Sequence, residues 1–289
     1  MNNWVLAIDA GGTKTALRLY DPDGLIVSES VGAGASLSHD LQSSCHSIVE
    51  HARDMLAAND MLALHTDIAV GVAGAGDTHA KQALIEALQN GGFNQPKVVS
   101  DALTSALGAN LGEPVACVAL GTGSVGMRLM ADGSTHLVGG WGFMLGDEGS
   151  GARLGAMLVQ ALMHAIDTQT VFPKLLESVA IETGGNRALL SEWISKAQIK
   201  EYAQLSQIIW QFQSSCDLAS DILTRHRQAV ERLILDTRSD YDLPVVLLGG
   251  LAHNTAPLLA PRCQQFVQPA KGSSLDGAYI LAKSKNKWN

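Results

Sequence analysis

The sequence predicts an α/β protein of two lobes in which one order of elements, βββαβαβα, is used twice, with a helical insertion in the second lobe. Three observations predict it. Each half opens on three short apolar or alternating runs, each half then turns to strands interleaved with helical periodicity, and each places a glycine turn between its first two strands. In the first half, Trp4–Ile8 is an apolar run, Thr15–Tyr20 alternates, and Asp21-Pro22-Asp23-Gly24 turns the chain into a strand at Leu25–Ser30. A helix fits Asp40–Ala58, where Leu41, Cys45, Ile48, Ala52 and Met55 recur at three- and four-residue spacings. A strand at Asp67–Val72, a helix at Thr78–Asn90 stopped by Gly91-Gly92, a strand at Lys97–Ser100 and a helix at Ala102–Leu111 complete the lobe. From Pro114 the order restarts: Val115–Leu120, Val125–Met130, the turn Ala131-Asp132-Gly133, and Thr135–Val138. A largely helical stretch at about 152–236 precedes strands at Pro244–Leu248 and Phe266–Gln268 and a closing helix at Leu275–Ser284. The expected lobes are 1–112 and 113–289, with the closing segment 275–289 packing back onto the first.

Composition narrows the function classes. Of the 289 residues, 46% are hydrophobic and 17% charged, which fits a globular chain that can bury a core. The net charge of −8, spread without long blocks of one sign, argues against nucleic acid or an anionic membrane as the main partner. The first apolar run ends at Asp9 without a basic leader, and no other run approaches the roughly 20 residues of a bilayer span, so a cytoplasmic protein is expected. Cys45, Cys117, Cys216 and Cys263 form no CxxC pair, and the histidines form no HExxH spacing, so a metal or cluster framework is not indicated.

The chemistry-bearing residues are glycine turns and carboxylates at strand ends. Asp9-Ala10-Gly11-Gly12-Thr13-Lys14 follows a buried strand; backbone N–H groups in such a turn can approach phosphate oxygens because no side chain intervenes. Gly11, Gly12 and Thr13 are candidate phosphate contacts, Lys14 a point charge beside them, and Asp9 a carboxylate near Mg²⁺ acting through water. An ordinary hairpin is the alternative. The segment is neither a Walker A loop nor a Rossmann fingerprint, since no GxxxxGK[ST] occurs and a strand follows. Gly121-Thr122-Gly123-Ser124 is the corresponding turn of the second half, and two opposed turns across a cleft between the lobes would clamp a polyphosphate. Gly249-Gly250, with Asn254 after it, stands where a strand meets a helix and a flat nucleoside could lie against the backbone. Asp101 ends a strand and begins a helix, a place for a general base or for a helix cap. Finally, Gly139-Gly140-Trp141-Gly142 runs on to Gly146-Asp147-Glu148-Gly149-Ser150-Gly151; an aromatic face and carboxylates suit a sugar, while a buried Trp and a helix cap are the alternative.

These motifs together resemble the actin, hexokinase and heat-shock ATPase superfamily, whose lobes are ribonuclease H-like (actin-like ATPase) domains. More narrowly they resemble the N-acetylglucosamine and glucosamine kinases grouped with the BadF/BadG/BcrA/BcrD ATPases, over nearly the whole chain from Asp9 to the Asp276-Gly277-Ala278 helix. The resemblance implies ATP and Mg²⁺ as cofactors, a homodimer, and transfer of the γ-phosphoryl group to the 6-hydroxyl of N-acetylglucosamine, with glucosamine as the close alternative. It implies Asp101 as base and Gly140, Trp141, Gly142 and Asp147 as sugar contacts. The family often has an Asn contacting sugar hydroxyls on the loop after the third strand; here Ser36 stands in that region as the candidate substitute for that sugar contact. A more distant relative type, the ATPase activators of redox enzymes, holds an iron–sulfur cluster in a cysteine context absent from this chain.

Overall fold

A computed structural model describes residues 3–284 and Trp288. The chain divides into two compact units: residues up to Val115 with Arg128–Thr135 and the segment from Pro269 onward, and Ala116–Met127 with His136–Gln268.

The first unit is built on strands β1 (Trp4–Ala10), β2 (Lys14–Tyr20), β3 (Ile26–Ala33), β4 (Thr66–Val72) and β5 (Lys97–Ser100), in the order β3-β2-β1-β4-β5. Strands β1 and β2 pair antiparallel, and β1 and β4 parallel with Asp9 beside Gly71. Side chains alternate faces along a strand. Leu6, Ile8 and Ala10 therefore join a core with Leu84, Ile48 and Ala52, carried by α2 (Thr78–Asn90) and α1 (Leu41–Ala57). The opposite face is covered by α3 (Asp101–Ala109) and α11 (Ser274–Lys283), and Asp9 continues the row of Val5 and Ala7. Helix α1 starts at Asp40, whose side chain accepts from Ser43 N, and α2 at Asp77, which accepts from His79 N and Ala80 N.

Helices α3 and α11 touch backbone to backbone. A Cβ on Gly277 would overlap the Thr104 carbonyl oxygen, and one on Gly108 would overlap that of Ser273. Residues 285–287 and 289, part of the expected closing segment, lie outside the described residues.

The second unit carries the sheet β8-β7-β6-β9, from β6 (Val115–Leu120), β7 (Ser124–Leu129), β8 (Thr135–Gly139) and β9 (Val245–Leu248). The helical insertion comprises α4 (Gly151–Asp167), α5 (Lys174–Thr183), α6 (Arg187–Lys196), α7 (Ile199–Ile209) and α8 (Asp217–Arg238). After β9 come two single-turn helices, α9 (Ala252–Thr255) and α10 (Pro261–Gln264). The expected strand at Phe266–Gln268 is corrected: it amounts to one parallel bridge, Val267 to Val245, so this sheet has four strands where the first has five. The buried Glu231 of α8 ties down this region by accepting from Ala260 N (2.8 Å) and pairing with Arg262 (3.1 Å). Among the described residues, no helix is long and apolar enough to cross a membrane.

Candidate functional site

In the first unit, the turn between β1 and β2 is closed by a hydrogen bond from Gly11 N to Lys14 O (3.0 Å). Gly12, Thr13 and Lys14 are exposed at its tip. Beneath it, Asp9 is largely enclosed. Burial raises its carboxyl pKa, while a hydrogen bond from Ser274 and the charge of Lys14 act in the opposite direction. Asp101 occupies the first helical position of α3, with Ser100, whose side chain accepts from Leu103 N, as the cap. The Asp101 carboxylate accepts from Ala102 N at 2.9 Å. Burial also raises the pKa of Asp101; the Ala102 bond opposes this and the neighbouring charge of Asp9 adds to it. Asp9 and Asp101 are thus half-buried like charges that act on one another, which favours a cation or a proton beside them. Gly34, at the start of the loop carrying Ser36, lies so close to Gly12 that a Cβ there would strike the Gly12 backbone. Ser36 itself is buried, and its backbone N–H and carbonyl are both bonded to the Ser44 hydroxyl.

In the second unit, the turn between β6 and β7 is closed by Gly121 N donating to Gly123 O (2.9 Å). The first amides of α4 reach back to it, Gly151 N to Gly121 O (2.8 Å) and Ala152 N to Thr122 O (3.2 Å). Two N–H groups that a helix start leaves unpaired are satisfied in this way. The two glycine-rich stretches of the second half are therefore one assembly. Ser124 is buried and donates its hydroxyl to Glu148 O (2.8 Å). Asp147 sits at φ +60°, a conformation Asp tolerates better than most side chains. Its carboxylate accepts from Gly142 N (3.3 Å) and from the Ser124 backbone, and a Cβ on Gly123 would press on it. Burial raises its pKa, against those two hydrogen bonds. Gly149 at φ +84° and the fully buried cap Ser150 lead into α4. Trp141 is 85% exposed, so the alternative of a buried structural Trp does not hold. Gly249, at φ +88°, packs on the Leu120 carbonyl just before the β6–β7 turn, and Asn254 is half-buried on α9.

Glycine is required by the fold at only some of these positions. At Gly249 the Leu120 backbone and a positive φ exclude a side chain, whereas at Gly123 a Cβ would displace only the Asp147 carboxylate. At Gly12, Gly121 and Gly250 a Cβ would meet nothing within 4 Å, and none of the three has a positive φ. Open space above a turn glycine is what a backbone contact to a ligand would need, and each unit has it separately, at Gly12 in the first and at Gly121 and Gly250 in the second. Sequence reasoning missed Ser274, which lies beside Asp9; the nearest readable signal was the Ser273-x-x-Asp276 capping pattern, which marks the helix start and not its contact.

Comparison with known proteins gives the following. The profile of the BadF/BadG/BcrA/BcrD ATPase family matches residues 6–271. The chain is 27% identical over 286 residues to a glucosamine kinase of Vibrio cholerae, covering 97% of this chain and 96% of that protein. It is 22% identical over 309 residues to an N-acetylmuramic acid/N-acetylglucosamine kinase of Clostridium acetobutylicum, covering 98% and 99%. Among solved structures, a candidate N-acetylglucosamine kinase from Chromobacterium violaceum matches with a TM-score of 0.89 at 28% identity, covering 97% of this chain and 99% of that one. A ROK family glucokinase from Streptomyces griseus, in complex with glucose and AMPPNP, shares the fold with a TM-score of 0.59 at 18% identity, covering 97% and 99%.

Proposed function

The chain belongs to the BadF/BadG/BcrA/BcrD ATPase family, and from that premise we propose that it is an ATP-dependent amino-sugar kinase acting on the 6-hydroxyl of N-acetylglucosamine. Glucosamine is the second reading, favoured by the Vibrio cholerae relative. The observation that carries the proposal is the set of glycines Gly12, Gly121 and Gly250, which the fold does not demand, in a chain that also holds the half-buried Asp9 and Asp101 carboxylates within reach of one another's charge in one unit.

In this reading the two units contribute separately. The β1–β2 turn offers Gly11, Gly12 and Thr13 to the terminal phosphates with Lys14 nearby, and the β6–β7 turn offers Gly121, Thr122, Gly123 and Ser124. Ser124 does so by shape, since its hydroxyl and N–H are engaged with Glu148 and Asp147. Gly249, Gly250 and Asn254 receive the nucleoside. Trp141, flanked by Gly140 and Gly142, offers its free face to the sugar ring. Asp147 acts there by holding Gly142 and adding a carboxylate edge, and Ser36 shapes the loop next to the first turn. Asp101 accepts the proton of the 6-hydroxyl as that oxygen bonds to the γ-phosphorus and the bond to the β–γ bridging oxygen breaks, releasing ADP.

The donors beside Asp9 suit Mg²⁺: they are oxygens, the two carboxylates repel one another, and among the described residues no cluster of three or more His, Cys, Asp or Glu forms a closed metal cage. Mg²⁺ would supply neutralisation of phosphate charge, and Asp9 would hold it through a water molecule.

The deciding experiment is a coupled ADP-release assay with N-acetylglucosamine, glucosamine, N-acetylmannosamine and glucose. Release that depends on one of the first two sugars supports the proposal and names the amine state. ATP hydrolysis indifferent to every sugar would replace it with the ATPase-activator reading.

A further inference from the structure

We propose that Ser274, in the first turn of α11, is a positioning residue that sets the orientation of the Asp9 carboxylate and so the strength of Mg²⁺–nucleotide binding. The inference rests on the kinase reading above, which places Asp9 on the metal side of the nucleotide.

The Ser274 hydroxyl donates to Asp9 Oδ2 at 2.6 Å across 265 positions of sequence. Its neighbour does something different. Ser273 caps its own helix, giving its N–H and hydroxyl to Asp276 Oδ2, both at 2.7 Å, and accepting from Asp276 N at 3.4 Å. Two adjacent serines thus divide between closing α11 on itself and reaching out to β1.

The donor is held stiffly. Asp276 Oδ1 accepts from Arg18 (2.8 Å) and from the Tyr20 hydroxyl (3.1 Å) on β2, which fixes the start of α11. Lys97 Nζ donates to the carbonyls of Leu281 and Ala282, each at 3.0 Å, which fixes its end. Between them, Gly277 and Gly108 allow no slack in the crossing with α3. A carboxylate otherwise turns broadly about its terminal torsion. A donor anchored at this many points selects one orientation, as outer hydrogen bonds do for groups that face a metal.

The test uses the full chain and measures ADP affinity by calorimetry with and without Mg²⁺, beside steady-state kinetics. Ser274→Ala should leave metal-free ADP affinity and the sugar KM unchanged while reducing the Mg²⁺-dependent gain in ADP affinity by about tenfold, and Ser274→Thr should restore it. Ser273→Ala should lower the melting temperature without touching the Mg²⁺ response, which separates capping from positioning. In an Asp9→Asn background, Ser274→Ala should add nothing.

If Asp9→Asn weakens the Mg²⁺ response and Ser274→Ala does not, the Ser274 inference alone fails. If Asp9→Asn leaves that response intact, the role given to Asp9 fails and takes this inference with it. Should the alanine variant not fold, Ser274→Val and Ser274→Thr differ only by a methyl for the hydroxyl, and an equal Mg²⁺ response in those two also overturns it.

Discussion

At the scale of single residues, Asp101 and Gly12 separate chemistry from architecture. Asp101→Asn keeps an acceptor for Ala102 N and should lower turnover on the order of 10²- to 10⁴-fold, the effect of removing a general base, in the ADP-release assay. Its stability should move the other way. Burial and Asp9 raise the folded-state pKa of Asp101, so its favourable contribution is present at low pH and is lost as pH rises through that raised value. At neutral pH the ionised form is a cost that asparagine removes, and the variant should melt no lower than the wild type. For the same reason the acid limb of kcat/KM should lie above the value of about 3.9 for an exposed aspartate. Gly12→Ala introduces a methyl into open space at an ordinary φ. Its melting temperature should therefore be unchanged, while the KM for ATP rises several-fold if the backbone there is approached by phosphate. A fall in melting temperature without a change in KM would mean that the turn is merely structural.

At the scale of elements, the α3–α11 crossing is the most constrained contact of the first unit. Gly277→Ala would drive a methyl into the Thr104 carbonyl, and α11 would have to lift off α3. Such overpacking should cost on the order of 3 kcal/mol, read as a lowered denaturation midpoint, whereas Gly76→Ala, with nothing within 4 Å, should cost almost nothing. Equal midpoints for both variants would show that the crossing relaxes freely. What could be read from sequence follows the same division between local and distant causes. Helix α2 and strand β5 have the expected bounds because Asp77, the Gly91-Gly92 stop and the apolar pattern are local signals. Strand β3 runs to Ala33, beyond the expected Ser30, because Val31, Gly32 and Ala33 go on pairing with Ala16, Thr15 and Lys14 of β2, and Gly32 leaves room there for the His51 ring. The strand expected at Phe266–Gln268 shrinks to a bridge, since three residues just after the single-turn helix α10 cannot be told from a turn by pattern. The glycine turns and strand-end carboxylates were legible as motifs. The Asp147 link to Ser124 and the Ser274 link to Asp9 were not, because hydrogen bonds between distant segments leave no period in the sequence.

At the scale of the whole molecule, the first unit is assembled from both parts of the chain that flank the second, together with Arg128–Thr135. Its Asp9 face is covered by α3 and by α11, and α11 is separated from β1 by the entire second unit in sequence. Leu275 and Leu281 of α11 are buried at 8% and 0% exposure, and each such burial is worth about 1.5–3 kcal/mol. Without α11, Arg18 and Tyr20 also lose Asp276, and Lys97 loses the Leu281 and Ala282 carbonyls. A total loss on the order of 5 kcal/mol or more is comparable with the whole stability of a domain, about 5–15 kcal/mol. A fragment ending at Val115 should therefore show no cooperative thermal transition by circular dichroism. Joining the segment from Pro269 onward to it through a flexible linker should restore one, because linking costs only slowly growing loop-closure entropy and returns the missing face. Cooperative melting of the shorter fragment would show that the five strands β1–β5 and the helices α1–α3 suffice, and that α11 is an accessory. The opposite result would mean that the Asp9 and Asp101 carboxylates take their places only once α11 has closed this face of the sheet, whatever joins it to the rest of the first unit.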